Sequence, residues 1–553
     1  MFEEEILSAV KEHVKQASLE RPPDLKLGDF ALPCFALARE LKMPPAKVAQ
    51  ELAEKIRAPD FVDRIEARGP YVNFFLNTTK MAAKVLSRIE VEREHYGSNH
   101  SGKGMHALIE HTSINPNASP HVGRARNAMI GDSIARMLRF EGFETRVHYF
   151  VNDVGKQIAM LVLACEEKEK VSFEELLKIY IDVNERSEKD PSIEKSAFEL
   201  LSRFEAGDRE VHSKFRRVVD ICVEGQRAIF ERLGITFDHF DYESDYILDG
   251  KVANVLDRLK KTGKVEKDED GRWVLDLEGF DLPLKSPVLV LTRNDGTSLY
   301  ALRDIAYNLD KNAWAKGRNI VVLGEDQKTY LQQVCAALSL LGESAPRPVH
   351  YSFVLLSTGK MSTRKGNVVL LEDFMKQALE RARSAMQREF GEEKARRVER
   401  SVAFGAVKFA ILKVSNEKTA TFDWERALAF EGDTSVYCQY ANARIHSIFR
   451  KAGVHDPRLP ESYLFDEPSE HALISELSMF PGIVAKALQE CDPSILAHYV
   501  LGVARAFSEF YHSCPVLDEG DIIRSSRLAL CNATSIVIEN CLGLLGIDAP
   551  REM

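Results

Sequence analysis

The stretch MHALIEHTSINPNASPHVGRARNAMIGDSIARMLRFEGFETRVHYFV, residues 105–151, decides the fold of the chain. Its first eight residues predict a strand, and residues 145–151 predict a second. Between them a helix is predicted over about residues 121–140, and another from about Gly155. The first helix has apolar residues spaced three and four apart, namely Val122, Ala125, Met129, Ile130, Ile134, Met137 and Leu138. This order of strands and helices is typical of a parallel sheet.

The flanking sequence predicts further domains. Helical patterns in LPCFALARELKM and PAKVAQELAEKI, followed by the strand-like YVNFFLN, indicate a small N-terminal module. The parallel sheet is expected to resume with VLVLT (288–292), NIVVLG (319–324) and VHYSFVLL (349–356), with a helix over about 328–341. After about Asp373 nearly every segment has helical periodicity.

We therefore expect a multidomain α/β protein. Its parts are a small α+β domain (1–100), a Rossmann-type parallel-sheet domain (101–372) with a helical insertion at about 155–287, a helical connecting region (373–430) and an all-α domain (431–553).

Composition excludes several classes of protein. The 553 residues are 45% apolar and 29% charged, which is ordinary for a folded soluble chain. No apolar run approaches the roughly 18 residues that cross a bilayer, and the acidic, amphipathic start MFEEEILSAVKEHVKQ resembles neither a signal nor a transit peptide. The nine cysteines include no CxxC pair. We expect a cytoplasmic protein with free thiols, no resident metal or zinc and no membrane partner.

The net charge of the chain is informative only together with the distribution of charged residues along the sequence. The total of −10 alone argues against a nucleic-acid partner. However, residues 166–210 hold 14 acidic and 8 basic residues, and residues 451–553 hold 15 acidic and 7 basic. Residues 376–450 hold 14 basic and 10 acidic residues. The acidity therefore lies in the insertion and the distal tail, and it does not exclude nucleic acid.

The first candidate ligand-binding loop is SINPNASPHVGRARN (113–127), which follows the first strand. Ligands of parallel sheets bind at the carboxyl ends of strands, where a helix N-terminus attracts phosphates. His121 lies at that end, Gly123 leaves room for a flat ring, and Arg124 and Arg126 add positive charge. Because a His-x-Gly triplet often arises by chance, a purely structural role remains open.

A second loop is GKMSTRKGNVV (359–369). Three cations surround a Met–Ser–Thr core within it: Lys360, Met361, Ser362, Thr363, Arg364 and Lys365. Such a loop could close over a triphosphate and stabilise the departing pyrophosphate. A solvated basic turn is the alternative.

In this order and about 240 residues apart, the two loops resemble the HIGH and KMSKS signatures of class I aminoacyl-tRNA synthetases. Further segments resemble the arginyl family within that class, nearly from end to end: GDFALPCFALARELK, GPYVNFFLN, IEHTSINPN, HYFVNDVGKQ, GTSLYALRDIAY, LGEDQ, KMSTRKGNVV, VYCQYANARIHSIFRKAG and LLGIDAPREM. The first signature reads HVGR here, with Arg124 in place of the second histidine. The other reads KMSTR, with Thr363 in place of the second lysine.

The resemblance implies a two-step reaction. L-Arginine and ATP, which carries Mg²⁺ as part of the substrate, give arginyl-adenylate, and the arginyl group then passes to the terminal ribose of tRNA(Arg). Members of the family typically need tRNA even for the first step, and a monomer is expected. The resemblance assigns ATP binding and catalysis to His121, Gly123, Arg124, Lys360, Met361, Ser362, Arg364 and Lys365. Which cation of the second loop contacts pyrophosphate stays open.

Recognition of arginine requires carboxylates, because a planar guanidinium forms its strongest hydrogen bonds with them. Glu110 ends the first strand, Asp304 follows a probable strand, and Tyr300 lies one helical turn before Asp304. The resemblance implies that these three hold the guanidinium, while Asn115 and Gln327 hold the α-amino and carboxylate end.

Each carboxylate also has a structural alternative. Asp304 could pair with Arg303 or cap a helix, and Glu110 could pair with Arg124 or Arg126. Asn115 could simply form a turn beside proline.

Contacts with tRNA are expected at both ends of the chain. The helix VYCQYANARIHSIFRK (436–451) spaces Tyr437, Tyr440 and Arg444 along one face, and such residues can stack on unpaired bases. The resemblance places this helix in an anticodon-binding domain, and it matches Tyr71 and Asn73 to positions that contact the tRNA elbow. A core helix with internally bonded tyrosines is the alternative.

Two other functions compete with an arginine–tRNA ligase. The departures at Arg124 and Thr363 motivate a non-catalytic tRNA-binding paralogue. A nucleotidylyltransferase would share the His-x-Gly pattern, but such enzymes are usually much shorter and lack a long helical tail.

Overall fold

The computed structural model describes residues 2–14, 16–166, 168, 170–356 and 369–553. The N-terminal elements are α1 (Phe2–Lys11), β1 (Phe30–Pro33), α2 (Phe35–Leu41), α3 (Pro45–Lys55), β2 (Val62–Arg68), β3 (Tyr71–Leu76) and α4 (Thr78–Glu92). The strands form an antiparallel sheet in the order β1-β3-β2. The two helices and the strand predicted for this region are confirmed.

The central region contains the elements of the α/β domain. They are β4 (His106–Glu110), α5 (Val122–Phe140), β5 (Glu144–Val151), α6 (Lys156–Cys165), α7 (Phe173–Ser187), α8 (Pro191–Glu205), α9 (Arg209–Arg232), β6 (His239–Tyr242), α10 (Glu243–Leu248), α11 (Lys251–Lys260), β7 (Val265–Lys267), β8 (Trp273–Asp276), β9 (Val288–Val290), α12 (Tyr300–Ala315), β10 (Asn319–Gly324), α13 (Lys328–Leu340), β11 (Arg347–Tyr351) and β12 (Val354–Leu356).

The C-terminal region is almost entirely helical, as predicted. Its elements are α14 (Leu371–Phe390), α15 (Glu392–Leu412), β13 (Ala420–Phe422), α16 (Trp424–Ala427), α17 (Ser435–Ala452), α18 (Pro468–Glu490), α19 (Ser494–Ser513) and α20 (Asp521–Leu544). None of the described helices is long and apolar enough to cross a membrane.

The main sheet has five strands in the order β11-β10-β4-β5-β6. Every neighbouring pair is parallel, which confirms the predicted Rossmann-type fold. The chain starts in the centre at β4, adds β5 and β6 on one side, and then adds β10 and β11 on the other. The winding direction therefore reverses between β4 and β10, which is where an open parallel sheet binds its ligand.

Two predicted strand segments do not pair as expected. VLVLT does not continue the main sheet, because β9 pairs antiparallel with β8 in a separate three-stranded sheet. VHYSFVLL is not one strand: β11 lies in the main sheet, while β12 pairs with β13. A run of apolar residues predicts a strand, but it does not specify the neighbouring strand. In addition, β6 lies within 155–287 and pairs with β5, so the chain returns to the main sheet inside that range.

The helical C-terminal region packs against both other parts of the molecule. Ser133 of α5 donates a hydrogen bond to the Leu544 carbonyl at 2.9 Å, and the Tyr96 hydroxyl, which follows α4, donates to the Leu477 carbonyl at 2.9 Å. His471 of α18 lies 2.7 Å from a carboxylate oxygen of Asp29. These buried contacts hold the N-terminal module and the α/β domain against one helical scaffold.

Candidate active site

A cavity of about 620 Å³ opens where the winding of the main sheet reverses. The ends of β4 and β10, the start of α5 and one face of α12 form its walls. The predicted site residues that line it are Glu110, Asn115, Arg124, Tyr300, Asp304 and Gln327. All five residues expected to bind arginine therefore lie around one cavity, although the chain separates Glu110 from Gln327 by more than 200 residues.

Glu110 is the last residue of β4, and its side chain is buried at the cavity wall. The Lys311 ammonium donates to Oε2 of Glu110 at 2.6 Å. Glu110 therefore forms an ion pair, as the structural alternative expected. Its partner is Lys311, however, and not Arg124 or Arg126. The Ser113 hydroxyl lies 3.5 Å from Oε1, which is too long for a strong hydrogen bond.

The turn after β4 is strained. Thr112 and Ser113 have φ angles of 75° and 42°, in the left-handed region that side chains other than glycine and asparagine rarely adopt. The Thr112 amide donates to Oδ1 of Asn127 at 2.6 Å, so a residue of α5 holds this turn. Such strain persists when the surrounding structure fixes it, and it is common at binding sites.

Asp304 lies in the first turns of α12 and faces the cavity. It accepts a hydrogen bond from the Tyr330 hydroxyl through Oδ2. Arg303 instead pairs with Glu243 at 2.9 Å, so the alternative of an Arg303–Asp304 salt bridge is wrong. Burial raises the pKa of the Asp304 carboxyl to about 6, the Tyr330 hydrogen bond opposes this increase, and the charge of Glu110 adds to it.

The cavity face of α12 has helical spacing. Tyr300, Asp304, Asn308 and Lys311 succeed one another along it, three or four residues apart. Tyr300 begins the helix and is 55% exposed, with its ring 5.0 Å from that of Tyr330. Its phenol is therefore free to pack on a ligand.

The start of α5 lines the cavity through Arg124 and Asn127, whereas His121 and Gly123 are not among the lining residues. His121 is the N-cap residue, and its side chain makes no capping hydrogen bond. Burial lowers the pKa of its imidazole, and the charge of Arg124 lowers it further, so the ring is neutral at neutral pH. Gly123 lies in the first turn, and Arg124 is exposed at the rim.

Arg126 does not add charge to this wall, contrary to the expectation. Its side chain is fully buried, and its guanidinium donates to five carbonyl oxygens at 2.8–3.3 Å. These carbonyls belong to Ser352, Phe353, Val414, Ser415 and Lys418. Residues two apart on a helix point in different directions, which separates Arg126 from Arg124.

Residues 359–368 of the second loop fall outside the described residues, and with them Lys360, Met361, Ser362, Arg364 and Lys365. The residues after it are described, and they lie against the first motif. The Val122 amide donates to the Val369 carbonyl at 3.2 Å, and the Leu371 amide donates to the Pro120 carbonyl at 2.8 Å.

Asn115 and Gln327 occupy the exposed mouth of the cavity. The Asn115 carbonyl accepts from the Gln226 side chain at 3.1 Å, which fixes the loop that carries it. Gln327 lies in a short 3-10 turn after β10. Both side-chain amides are therefore accessible from solvent.

The residues expected to contact tRNA are partly engaged inside the protein. Asn73 is only 4% exposed within β3, whereas the Tyr71 ring packs edge-on against Phe35 at 5.6 Å. The Tyr437 hydroxyl donates to Ser508 at 2.9 Å, as the alternative of a core helix expects. The Arg444 guanidinium lies 4.6 Å from the ring centre of Tyr440. Their roles toward tRNA stay predictions.

The cavity residues that sequence reasoning missed include Lys311, Tyr330 and Glu243. Lys311 lies seven residues after Asp304, a helical spacing that could have revealed it. Glu243 and Tyr330 had no such signal, because separate elements bring them to the cavity. Burial raises the pKa of the Glu243 carboxyl to about 7, and Arg303 opposes the increase.

Three family models match nearly the whole chain. Residues 86–424 match the catalytic domain of class I (R) tRNA synthetases, residues 438–553 match the DALR anticodon-binding domain, and residues 1–76 match the arginyl-tRNA synthetase N-terminal domain. The chain belongs to the arginyl-tRNA synthetase family. The predicted resemblance to the arginyl family of class I aminoacyl-tRNA synthetases is thereby confirmed.

Individual members of the family are similar to the chain over nearly its whole length. The arginine–tRNA ligase of Methanocella arvoryzae is 38% identical over 532 residues, covering 94% of this chain and 92% of that protein. That of Methanocaldococcus jannaschii is 36% identical and covers 99% of both. The structure of Thermus thermophilus arginyl-tRNA synthetase superposes with a TM-score of 0.82 at 30% identity, covering 100% of this chain and 99% of that one.

The described residues contain no group of three or more His, Cys, Asp or Glu side chains placed to hold a metal ion.

Proposed function

We propose that the chain is an arginine–tRNA ligase, which activates L-arginine with ATP and transfers it to the 3′-terminal ribose of tRNA(Arg), releasing AMP and pyrophosphate. One observation carries the proposal: Glu110 and Asp304 face the same cavity at the switch point of the sheet. Two carboxylates suit a guanidinium, and a neutral isostere such as citrulline would leave buried charge uncompensated.

Within this proposal the cavity orients arginine from one end to the other. Glu110 and Asp304 accept hydrogen bonds from the guanidinium, and the half-exposed phenol of Tyr300 packs against it. Asn115 and Gln327, at the mouth, bind the α-amino and carboxylate groups. This direction points the reacting carboxylate toward the start of α5, where ATP would lie.

The start of α5 binds ATP in this proposal. The positive end of the helix dipole attracts the phosphates, and the neutral imidazole of His121 donates a hydrogen bond to them. Gly123 leaves space for the adenosine, and Arg124 supplies charge at the rim. Lys360, Met361, Ser362, Arg364 and Lys365 would complete the phosphate site, and ATP would bring Mg²⁺ with it.

The chemistry needs no covalent protein intermediate. The arginine carboxylate attacks the α-phosphate in line, and pyrophosphate leaves. The ribose hydroxyl of tRNA then attacks the activated carbonyl carbon, and AMP leaves. The protein's own contribution is positioning of the reactants and stabilisation of charge on the phosphates.

Both ends of the chain would hold tRNA. We assign the elbow to residues 1–100 with Tyr71 and Asn73, and the anticodon to residues 431–553 with Tyr437, Tyr440 and Arg444. Residues 101–372 carry the chemistry and residues 373–430 connect the two regions. We expect a monomer that acts where translation occurs, in the cytoplasm, and size-exclusion chromatography with light scattering tests the monomer.

Aminoacylation of total tRNA tests the function. Each of the twenty amino acids is offered with ATP and Mg²⁺, and the aminoacyl-tRNA formed is measured. Arginine alone should be charged. If a different amino acid is charged and arginine is not, the proposal is contradicted. Binding of tRNA without any charging would also contradict it, and that is the result expected of a non-catalytic paralogue.

A further inference from the structure

Each carboxylate at the base of the cavity has one oxygen already engaged by the protein. Lys311 binds Oε2 of Glu110 at 2.6 Å, and Tyr330 donates to Oδ2 of Asp304. Within the described part of the chain, no hydrogen bond reaches Oδ1 of Asp304, and the Ser113 hydroxyl stays 3.5 Å from Oε1 of Glu110. The cavity therefore presents two separate oxygens, one from each carboxylate.

Lys311 is itself held in place by the residues around it. Lys311 is 3% exposed, and its ammonium lies 4.3 Å from the ring centre of Tyr307, which stacks on Phe150. A lysine buried this deeply is rare unless it is paired. Its position at the cavity wall against a pocket carboxylate is therefore specific, and it does not serve as a surface charge.

Charge balance supports the same reading. Glu243 and Arg303 form their own ion pair at 2.9 Å. Of the other charged residues that line the cavity, Arg124 and Asp326 are both exposed and carry opposite charges. This leaves Glu110, Asp304 and Lys311, which are two carboxylates and one ammonium. A single cationic ligand neutralises the remaining negative charge, whereas a neutral ligand leaves it uncompensated.

We propose that Lys311 and Tyr330 are positioning residues for arginine, each engaging one oxygen of a pocket carboxylate so that the other oxygen faces the guanidinium. A planar guanidinium has N–H donors along two edges. One edge can donate to the free oxygen of Glu110 and the other to the free oxygen of Asp304. This inference rests on the proposed function, because it names what orients the two carboxylates in that same site.

The test uses Tyr330→Phe and Lys311→Gln in the full-length enzyme. The first variant keeps the ring and removes the hydroxyl, and the second keeps a hydrogen-bond donor and removes the charge. Arginine-dependent ATP–pyrophosphate exchange is measured with saturating tRNA between pH 5 and 8. We expect the KM for arginine to rise about tenfold in each variant, while the KM for ATP stays within about twofold.

The pH profile separates positioning from a merely structural role. Because the hydroxyl of Tyr330 and the charge of Lys311 both lower the pKa of Asp304, either substitution should move the acid limb of kcat/KM for arginine to higher pH. A shift of about one pH unit corresponds to a tenfold change in proton affinity.

Matched controls exist outside the cavity. Tyr242→Phe removes a hydroxyl that donates to Asp220 at 2.6 Å, and Lys251→Gln replaces an ammonium 2.7 Å from Asp310 with a neutral donor. Both controls should keep the wild-type KM for arginine and the wild-type acid limb. If Lys311→Gln fails to fold, as judged by circular dichroism, Tyr330→Phe alone decides.

Two results would overturn the proposal while the proposed function stands. One is an unchanged KM and acid limb in the variants, and the other is a raised KM without movement of the acid limb. In both cases the wild type still shows arginine-dependent exchange. Absence of that exchange in the wild type would instead remove the proposed function, and the positioning roles with it.

Discussion

Replacement of Asp304 by asparagine removes one of the two carboxylates and keeps the size of the side chain. At pH 7.5 a carboxyl whose pKa is about 6 is more than about nine-tenths ionised, so the substitution removes a full charge. Truncation of one partner of a buried, hydrogen-bonded charge pair costs about 2–5 kcal/mol. Because Asp304 is mostly but not fully buried, we take about 3 kcal/mol, which is a loss of about 100-fold in arginine affinity.

Arginine-dependent ATP–pyrophosphate exchange with tRNA present measures this loss. The KM for arginine should rise about 100-fold, and the KM for ATP should change less than about threefold, because α5 and not α12 is expected to hold ATP. Asp310→Asn is the matched control, since Asp310 lies on the same helix but is exposed and bonded to Lys251. Equal losses for arginine and ATP would refute the role of Asp304.

The titration of the cavity, the buried Arg126 and the charge distribution give three further expectations. Below about pH 6, kcat/KM for arginine should fall up to tenfold per pH unit, because Asp304 must lose its proton before it pairs with the guanidinium; a flat profile between pH 5 and 7 would contradict this. Arg126→Met should lower the Tm by several degrees, since it leaves buried carbonyls unpaired at a cost of about 3 kcal/mol or more, and an unchanged melting curve would argue against it. If residues 376–450 neutralise about four phosphates, tRNA affinity in filter binding should fall on the order of 100-fold between 50 and 200 mM salt, and salt-independent affinity would contradict a basic tRNA face.

The sequence predicted the elements whose patterns are local. The strand–helix–strand unit of β4, α5 and β5 could be recognised because its apolar spacing changes from the period of a strand to that of a helix. In contrast, β6 has the polar sequence HFDY and gave no signal. The apolar run VLVLT predicted a strand correctly but could not show that its partner lies in a second sheet, since pairing depends on tertiary packing.

The residues of the candidate site could likewise be predicted only in part from the sequence. Glu110 and Asp304 were predicted as carboxylates for a guanidinium, and the resemblance to the arginyl family placed them together. Their actual partners could not be predicted, because Lys311 reaches Glu110 only when α12 packs beside β4, and Tyr330 reaches Asp304 only when α13 packs beside α12. Likewise, Arg126 was expected to add positive charge beside Arg124, and only its burial among backbone carbonyls shows that it supports the fold.

The central claim is that the cavity at the switch point activates arginine. ATP–pyrophosphate exchange, measured for each of the twenty amino acids with and without total tRNA, tests it most directly. We predict exchange with arginine alone, and only when tRNA is added. Exchange with a different amino acid, or no exchange with arginine in the presence of tRNA, would contradict the assignment.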